Sequence, residues 1–358
     1  MNTFLIKSIH GDYPMYSGRY AYDAWMKNIP RTTRRAPLIL CTQRTIFTRY
    51  GGPVVAGLKK NGYRVTVHYL PQGERAKSMY EAARVYVLLM KLRADRSTPL
   101  VALGGGVVGD LTGYVASTYL RGLPWYFLPT SVISQVDSSI GGKVGINFRG
   151  AKNQIGAWHP PKAVVANPEW LATEPERSYR SGLAEIIKIM LVSGVVSPDH
   201  LAHDAPTLLA RRQDVLSTYV TEAARLKAFV VEEDEHETTG WRRILNYGHT
   251  IGHAVESSSK FGLTHGQCVA IGMMAAAKLG ALIGCTPSQV VQGHADVFQA
   301  FGLPVICPSR LRRAAQGFLV FDKKRSNGSL KWVLLQDFGR PCIVSGISSD
   351  LIRRVLTA

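Results

Sequence analysis

The sequence lacks the long apolar runs that a membrane protein needs. No apolar stretch in its 358 residues approaches the roughly 20 residues required to span a bilayer. The N-terminus has no basic start followed by a long apolar stretch, so no secretory signal is predicted. Hydrophobic residues still make up 46% of the chain, enough to bury sizeable cores. These features predict a cytoplasmic protein, and the length indicates about two domains.

The sequence is also poor in cysteine and in acidic residues. The five cysteines include no CxxC pair, so they are interpreted as buried or free thiols in a reducing compartment. Lys and Arg exceed Asp and Glu by 43 − 25 = 18, a surplus that can indicate nucleic-acid binding. The basic residues are dispersed, however, and no zinc-finger motif is present. A cleft for small phosphorylated or carboxylated substrates would also account for the charge, and neither a nucleic acid nor a membrane is expected as partner.

The first half of the sequence alternates between strand and helix patterns. Strands are predicted at residues 36–41, 63–70 and 98–106, and helices at residues 45–62 and 77–95. From about Ser178 onward, long helical periodicities dominate. The alternation predicts an α/β layer with parallel strands. The change near Ser178 predicts two domains, an α/β domain at residues 1–177 and a mainly helical domain at residues 178–358.

A glycine turn follows the third of these strands. The segment "LGGGVVGDLTGYVA" places Gly104, Gly106 and Gly109 in the spacing G-x-G-x-x-G between a strand and a helix. Glycines let the backbone approach a pyrophosphate, and a helix N-terminus favours its negative charge. The acidic residue that usually follows about 20 positions later is missing. The glycines therefore form either a tight turn alone or a dinucleotide site in a different fold.

Histidines recur in the helical half. His249 and His253 lie four residues apart in "HTIGHAVE", which places them on one helix face. Glu256 is close by, and His265 begins the next predicted helix. Three histidines and a carboxylate make a plausible zinc site, because zinc binds nitrogen and oxygen ligands. The pattern alone leaves metal ligands, an acid/base pair and buried core histidines as alternatives.

Isolated charges also occur among small or apolar residues. Glu185 and Lys188 are one turn apart in the apolar segment "GLAEIIK", where a buried charge needs a partner or a metal. A second group, surrounded by small residues, indicates backbone packed close to a ligand, although each member alone is compatible with a solvated loop. This group comprises Thr130, Ser131, Asp137, Lys143, Asn147, Lys152 and Asn153.

Together these motifs resemble the 3-dehydroquinate synthase family. Seven segments follow the order and spacing of that family between about Pro71 and Arg325: "LGGGVVGDLTGYVASTYLRG", "VDSSIGGKVGIN", "KNQIGAWHPP", "GLAEIIK", "ILNYGHTIGHAVE", "THG" and "DKK". The resemblance implies an α/β N-terminal NAD-binding domain and an all-α C-terminal metal-binding domain. It further implies a homodimer and a divalent metal, zinc or cobalt.

The resemblance also implies an activity. Members of the family are carbon–oxygen lyases of the shikimate pathway, which leads to chorismate and the aromatic amino acids. They convert 3-deoxy-D-arabino-heptulosonate 7-phosphate to 3-dehydroquinate and phosphate. Transient oxidation of C5 by NAD acidifies the C6 proton, so that phosphate is eliminated. C5 is then reduced, the ring opens, and an intramolecular aldol addition closes the carbocycle.

The matching positions imply roles for individual residues. Glu185, His249 and His265 would bind the metal, whereas His253 would contact the substrate and handle protons. Arg121 would reach the phosphate bound by the partner subunit. Arginine and lysine suit carboxylate and phosphate, and the other implied substrate residues are Lys227, Arg242, Lys143, Lys152, Asn153, Asn246, Lys188 and Lys324, with Lys323 as the alternative to Lys324.

Cofactor residues are implied in the same way, with two departures from the family pattern. Gln43 and Thr45 replace the Asp and Asn that usually hold the adenosine ribose, and Arg44 lies between them. The neutral Gln43 removes a charge that disfavours a 2′-phosphate, but NAD is still expected. "THGQ" replaces the usual "HGE", which bears on the orientation of His265. The implied NAD contacts are Glu74, Lys77, Gly105, Gly106, Val107, Asp110, Thr130, Ser131, Asp137, Lys143, Lys152 and Thr173.

Three alternatives stay open at this point. Other sugar phosphate cyclases make 2-deoxy-scyllo-inosose, valiolones or aminodehydroquinate. A metal-dependent alcohol or glycerol dehydrogenase would not need so many anion-binding residues, and a nucleic-acid-binding protein would need no cyclase activity. Lys143, Arg242, Asn246 and the "DKK" run favour a carboxylated substrate, although the aminodehydroquinate type differs at only one ring atom.

Overall fold

The chain folds into two compact units. The computed structural model describes residues 2–32, 36–259, 262–325 and 330–357, with the side chains of 320–325 outside that description. The first unit comprises Met1–Glu174 and Val220–Glu235, and the second comprises Pro175–Tyr219 and His236–Ala358. This division differs from a single boundary after residue 177, because one continuous helix begins in the second unit and ends in the first. Helical periodicity does not change along such a helix, so the sequence pattern gives no sign of the crossing.

A seven-stranded sheet forms the centre of the first unit. The strands of this unit are β1 (Asn2–Ile6), β2 (Tyr13–Ser17), β3 (Pro37–Thr42), β4 (Arg64–Tyr69), β5 (Leu100–Gly104), β6 (Trp125–Pro129), β7 (Lys143–Phe148), β8 (Ala151–Trp158) and β9 (Ala163–Ala166). The sheet order is β1-β2-β9-β6-β5-β3-β4, and β7 and β8 form a separate antiparallel hairpin. Among the described residues of the large sheet, β1 and β2 pair antiparallel and the other neighbouring strands pair parallel. The carboxyl ends of β3, β4, β5 and β6 therefore lie along one edge.

Helices cover both faces of this sheet. They are α1 (Ala21–Asn28), α2 (Arg44–Ile46), α3 (Gly52–Lys60), α4 (Met79–Lys91) and α5 (Gly106–Thr118). Alternate residues of β3 enter two separate cores, Ile39 with α4 and α5, and Leu38 with α1 and α3. A strand buried on both faces has a continuous apolar run rather than an alternating one, as "LILC" does. The helix predicted at residues 45–62 is divided by a π-helical turn at Phe47–Gly51.

The second unit is mainly helical. Its helices are α6 (Glu176–Ser193), α7 (Pro198–Leu209), α8 (Gln213–Glu233), α9 (His249–Ser259), α10 (His265–Leu282), α11 (Ser288–Ala300), α12 (Ser309–Arg325) and α13 (Ser349–Thr357), with α8 passing into the first unit at Val220. The residues of α10 are apolar around most of its circumference and mostly buried, as expected of a central helix. An antiparallel hairpin of β10 (Trp332–Asp337) and β11 (Arg340–Val344) corrects the expectation of an all-α unit. In the described part of the chain, no helix combines the length and apolarity needed to cross a membrane.

The cysteines are free thiols, in line with the prediction from their number and spacing. Cys41, Cys268 and Cys307 are buried, whereas Cys285 and Cys342 are half-buried with their Sγ atoms 3.4 Å apart. Burial raises the pKa of the Cys41 thiol to about 12 and that of Cys268 likewise to about 12. These two thiols are therefore protonated near neutral pH and serve as small apolar side chains.

Candidate active site

The glycine turn of the first unit joins β5 to α5 at the carboxyl edge of the sheet. A Cβ on Gly104 would overlap Val108, and a Cβ on Gly109 would overlap Phe127 of β6. Gly105 precedes α5 in an extended conformation, and no side chain in the described part of the chain caps that helix. The first N–H groups of a helix lack intrahelical partners and attract anions. The turn is thus packed closely against the sheet and suits a phosphate group.

A buried network of polar side chains lies beside the turn. Lys77, only 4% exposed, donates to Asp110 Oδ2 at 2.5 Å and to the Asn153 side-chain oxygen. Burial raises the pKa of Asp110 despite the opposing charge of Lys77. Asn147 Nδ2 donates to Glu74 Oε1 at 3.0 Å, and Asn147 Oδ1 accepts from Asn153 N at 2.9 Å. The β4–α4 loop, α5 and the β7–β8 hairpin are thereby joined through residues that were predicted as cofactor or substrate contacts.

The loop after β6 adds a second group of predicted residues next to the turn. Thr130 N donates to Gly104 O at 2.9 Å, which holds the two loops together. Ser131 follows, and a Cβ on Gly105 would lie 3.5 Å from Ser131 Oγ. Lys227 of α8 donates to Asp137 O at 2.8 Å and forms an ion pair with the Asp137 carboxylate. Lys227, predicted to bind a substrate carboxylate, is therefore buried against a carboxylate of its own chain.

Other predicted residues of the first unit lie nearby or at the surface. Lys143 and Lys152 are exposed on the β7–β8 hairpin, and Val107 is half-buried in the first turn of α5. Thr173 Oγ1 lies 2.6 Å from the Tyr50 hydroxyl. This contact ties Thr173 to the π-helical turn that follows β3, the strand next to the glycine turn.

Glu185 is the centre of the candidate metal site in the second unit. It is 1% exposed in α6, and its Oε2 accepts from Lys188 Nζ at 2.6 Å. Among the described residues, the other oxygen, Oε1, has no hydrogen-bond partner although it is buried. Oε1 lies 3.3 Å from His265 Nε2 and 3.8 Å from His249 Nε2. An unsatisfied buried carboxylate oxygen that faces two imidazole nitrogens is the arrangement a bound cation would complete.

Both histidines are oriented through their other ring nitrogen. His249 Nδ1 lies 3.1 Å from the Tyr247 carbonyl oxygen, and His265 Nδ1 lies 2.9 Å from Glu256 Oε2. A proton on each Nδ1 leaves the Nε2 lone pairs directed toward Glu185, as second-shell partners do for metal-bound histidines. One carboxylate and two imidazoles suit zinc or cobalt and leave room for further ligands.

The electrostatics of this group also suit a cation. Burial alone would raise the pKa of Glu185, but Lys188 and the two histidines hold it well below its ordinary value. Burial lowers the pKa of His249 to about 3, so this imidazole is neutral and can bind a metal. Burial would lower the pKa of His265 too, yet Glu185 and Glu256 raise it to about 10. With this raised pKa, the His265 ring carries a second proton near neutral pH. A metal cation bound by His265 and Glu185 would take the place of that second proton.

Close helix contacts bring the three residues together. A Cβ on Gly266, the second residue of α10, would overlap the Ser181 carbonyl oxygen of α6. Gly266 N also donates to Ser181 Oγ at 2.8 Å. Between α9 and α10, a Cβ on Gly272 would overlap the carbonyl oxygen of Gly248. Gly248 has φ +76, and the atoms around it leave no room for a side chain of its own. We call these contacts, made by Ser181, Gly248, Gly266 and Gly272, the glycine seam.

Replacing Gly266 by alanine is expected to release metal and to lower stability. The new methyl group must push α10 away from α6, which separates His265 from Glu185. Metal content per chain after dialysis measures the effect, and overpacking of this kind costs about 1–3 kcal/mol. Gly317→Ala is the matched control, because a Cβ on Gly317 of α12 would meet no atom of the described residues within 4 Å. Equal metal content in both variants would contradict the role of the seam.

His253 lies beside the three proposed ligands. Its ring centroid is 5.1 Å from that of His249 and 6.0 Å from that of His265, and its side chain is exposed. His253, Glu256 and His265 form a second group with ligand atoms within 4.8 Å of one another. Glu256 already accepts from His265 Nδ1, whereas Oε1 of Glu185 has no hydrogen-bond donor among the residues that the structure describes. The geometry therefore favours Glu185, His249 and His265 as the metal group.

The segment before α9 is not part of the same helix. It forms a 3-10 helix at Trp241–Asn246, and α9 begins only at His249 because Gly248 has a left-handed conformation. Arg242 is buried with its Nε 3.7 Å from Glu237 Oε1, and Asn246 is exposed. The contact between Glu237 and Arg242 was not predicted, because nothing in the sequence distinguishes Glu237 from its neighbours in "EEDEHE".

The glutamine in "THGQ" has a structural role at the N-terminus of α10. Gln267 Oε1 accepts from Thr264 N at 2.9 Å, and Thr264 Oγ1 accepts from Gln267 N at 3.3 Å, which is a capping box for α10. Gln267 thus stabilises the helix N-terminus, while Glu256 orients the His265 ring. Lys323 and Lys324 lie in the part of α12 whose side chains are outside the described residues.

In fold, the chain is similar to the sugar phosphate cyclases. A 2-deoxy-scyllo-inosose synthase complexed with carbaglucose-6-phosphate, NAD+ and Co2+ superimposes with a TM-score of 0.88 at 25% identity over 99% of each chain. The 2-epi-5-epi-valiolone synthase of Streptomyces hygroscopicus, with NAD+ and Zn2+ bound, gives a TM-score of 0.86 at 26% identity, covering 99% of this chain and 98% of that one.

Sequence comparison defines the family within that class. The profile of the 3-dehydroquinate synthase N-terminal domain matches residues 67–181, and that of the C-terminal domain matches residues 182–325. The 3-dehydroquinate synthase of a Synechococcus strain is 40% identical over 90% of this chain and 88% of its own. That of Crocosphaera subtropica is 38% identical over 89% and 88% respectively. The chain belongs to the 3-dehydroquinate synthase family.

Proposed function

We propose that the chain converts 3-deoxy-D-arabino-heptulosonate 7-phosphate to 3-dehydroquinate and phosphate, as an NAD- and metal-dependent lyase of the shikimate pathway. The observation that carries the proposal is the unsatisfied Glu185 carboxylate oxygen facing the Nε2 atoms of His249 and His265. It occurs in a chain that matches both domains of this family. The cytoplasm is the proposed location.

Glu185, His249 and His265 would hold the divalent metal, zinc or cobalt. When bound, the metal supplies Lewis-acid polarisation of substrate oxygens. Lys188 holds the second oxygen of Glu185, and Glu256 fixes the His265 ring. These contacts orient the ligands before any metal arrives, so little reorganisation is needed on binding.

His253 is proposed to move protons on the substrate hydroxyls. Its ring is exposed beside His249 and His265. The group of Glu185, His249 and His265 is complete without it. General acid–base groups must be able to reach solvent or substrate. In this proposal the substrate's own phosphate accepts the C6 proton, which is acidified while C5 is a ketone.

Cationic and amide side chains would bind the substrate anions. Arg242, buried beside Glu237, is proposed for the carboxylate, because a guanidinium matches carboxylate geometry in a bidentate contact. Lys227 is proposed to bind the same carboxylate, and to do so it must leave its ion pair with Asp137. The remaining proposed substrate contacts are Lys143, Lys152, Asn153, Lys188, Asn246 and Lys324.

The glycine turn of the first unit is the proposed NAD site. When bound, NAD supplies the hydride acceptor for C5 and returns the hydride in the same turnover. The uncapped N-terminus of α5 would face the pyrophosphate, and Lys77 with Asp110 would stabilise the adjacent loop. The other proposed contacts are Glu74, Gly105, Gly106, Val107, Thr130, Ser131, Asp137, Lys143, Lys152 and Thr173.

A homodimer with Arg121 reaching the partner's site is part of the proposal. Arg121 is exposed and follows Leu120 in a tight turn where both have positive φ, 68° and 49°. Such conformations cost about 1–3 kcal/mol each and often occur at functional sites. Mixing an Arg121→Ala chain with a His253→Ala chain should restore part of the activity if the arginine acts in trans. No recovery in the mixed dimer would contradict this.

The proposed reaction is tested with purified protein, NAD, zinc or cobalt, and the heptulosonate phosphate. Phosphate and dehydroquinate should appear together in equal amounts, and chelation should stop both. The structural similarity to inosose and valiolone synthases makes sugar phosphates without a carboxylate the necessary comparison, with an amino sugar phosphate as a third. Cyclisation of one of these without dehydroquinate formation would overturn the substrate assignment.

A further inference from the structure

The residues that follow β3 lie beside the glycine turn. β3 pairs with β5, which ends at Gly104, and all three strands β5, β3 and β4 are parallel. Ligands of parallel α/β sheets bind outside the carboxyl ends of the strands. In dinucleotide-binding folds, an acidic side chain near this place holds the ribose 2′-hydroxyl, whereas an arginine accommodates a 2′-phosphate. The side chains after β3 therefore bear on the choice between the two dinucleotides.

No carboxylate follows β3 in this chain. The sequence there is Gln43, Arg44, Thr45. Gln43 Nε2 donates to the Pro71 carbonyl at 3.1 Å, so the neutral amide is anchored to the loop after β4. Thr45 Oγ1 accepts from Gln72 Nε2 at 3.4 Å. Neutral hydrogen-bonding groups thus occupy the place where an acid would repel a phosphate dianion.

Two arginines flank these neutral groups. The Arg44 guanidinium lies over the ring of Tyr69, the last residue of β4, with 4.7 Å from Cζ to the ring centroid. Arg75 Nε donates to the Gln72 carbonyl at 3.2 Å. Both side chains are exposed, and within the described residues neither pairs with a carboxylate. A guanidinium has five N–H donors, so each arginine keeps donors for a further acceptor.

The nearest acid in the loop after β4 is already engaged. Glu74 Oε1 accepts from Asn147 Nδ2 at 3.0 Å and lies 3.8 Å from Lys77 Nζ. The contact with Asn147 directs Glu74 toward the β7–β8 hairpin, and Lys77, which also pairs with Asp110, offsets part of its charge. It therefore does not substitute for an acid at the end of β3.

We propose that Gln43, Arg44, Thr45, Gln72 and Arg75 form a subsite for a 2′-phosphate, so that the chain binds NADP as well as it binds NAD. The proposal rests on the dinucleotide role given to the glycine turn under the proposed function. Arginine binds phosphate through paired N–H donors, and the stacked Arg44 is held in place by Tyr69 before the ligand arrives. Because the cofactor is regenerated within each turnover, either dinucleotide would serve without net consumption.

Calorimetric titration of the whole protein with ADP-ribose and with 2′-phospho-ADP-ribose tests the subsite without metal or turnover. The two dissociation constants are expected to agree within roughly tenfold. Gln43→Asp should weaken binding of the phosphorylated ligand alone, and Arg44→Ser should do the same, each by about tenfold or more. Arg64→Ser is the matched control, because the exposed Arg64 begins β4 at the opposite edge of the sheet, and it should change neither constant.

The outcomes separate this proposal from the proposed function. Binding of 2′-phospho-ADP-ribose more than about 100-fold weaker than ADP-ribose would overturn the subsite, as would an equal loss for both ligands in Arg44→Ser. If dehydroquinate still forms with NAD, only the subsite is lost. If neither nucleotide binds and no dehydroquinate forms, the dinucleotide role of the glycine turn and the subsite both fail.

Discussion

His249→Ala is expected to abolish metal retention, whereas His253→Ala is expected to keep the metal and lose activity. The Nε2 of His249 faces Glu185 and its Nδ1 is held by the Tyr247 carbonyl, so its removal leaves the cation with one imidazole fewer. Loss of a residue that merely orients a ligand already weakens metal binding about 10- to 100-fold, and loss of a ligand should exceed that. Removal of a general acid–base group should lower the rate about 100- to 10,000-fold.

Metal analysis after dialysis, together with the initial rate of phosphate release, distinguishes the two variants. His203→Ala provides the control, since His203 is an exposed histidine of α7 in the same unit and should keep both metal and activity. Equal metal loss in the His249 and His253 variants would show that the division of roles is wrong. Metal loss in the His253 variant alone would favour the second group of potential ligands, which contains His253, Glu256 and His265.

Glu185→Gln is expected to lose both metal and stability. Lys188 is 2% exposed and its ammonium lies 2.6 Å from Glu185 Oε2, so a neutral amide leaves a buried charge without a counter-ion. Breaking a buried ion pair from one side costs about 3–5 kcal/mol. Urea denaturation measures the change in the free energy of unfolding, and dialysis followed by metal analysis measures retention.

The double variant Glu185→Gln with Lys188→Met separates these two effects. An uncharged side chain of similar length removes the unpaired ammonium, and replacing a whole buried pair by apolar groups is often neutral or stabilising. Stability should therefore return while the metal stays absent. A single Glu185→Gln variant that keeps its metal and unfolds at the wild-type urea concentration would contradict the assignment of Glu185.

Local patterns were enough to predict much of the fold. The run "LILC" and the turn "LGGG" mark strands and a strand-to-helix connection, and the structure has them as β3, β5 and α5. The hairpin of β10 and β11 was not predicted, because two short strands in a helical half give a weak signal. The passage of α8 from one unit to the other was not predicted either. Helical periodicity shows that one face of a helix is buried, but it does not show which other element covers that face.

The site was predicted less completely from the residues themselves. Spacing placed His249 and His253 on one face, but the division of their roles came from the family resemblance. Glu185 Oε1 faces His249 across two segments that are far apart in the chain, whereas the Tyr247 carbonyl is a near neighbour of that histidine. No local pattern encodes the first kind of contact. Glu256 carried a usable signal, since it lies three residues after His253 on the same helix.

The glycine seam couples the spacing of the proposed ligands to the distance between helix backbones. At Gly266 and Gly272, the atoms that a new Cβ would overlap are main-chain atoms, so no flexible side chain can move aside there to absorb a change. A substitution there cannot be relieved by repacking a neighbour. In a scan of all single substitutions, these glycines should be as intolerant as the ligands themselves, although they touch no metal. Second substitutions that restore metal binding to such a variant should therefore be rare among the neighbouring residues.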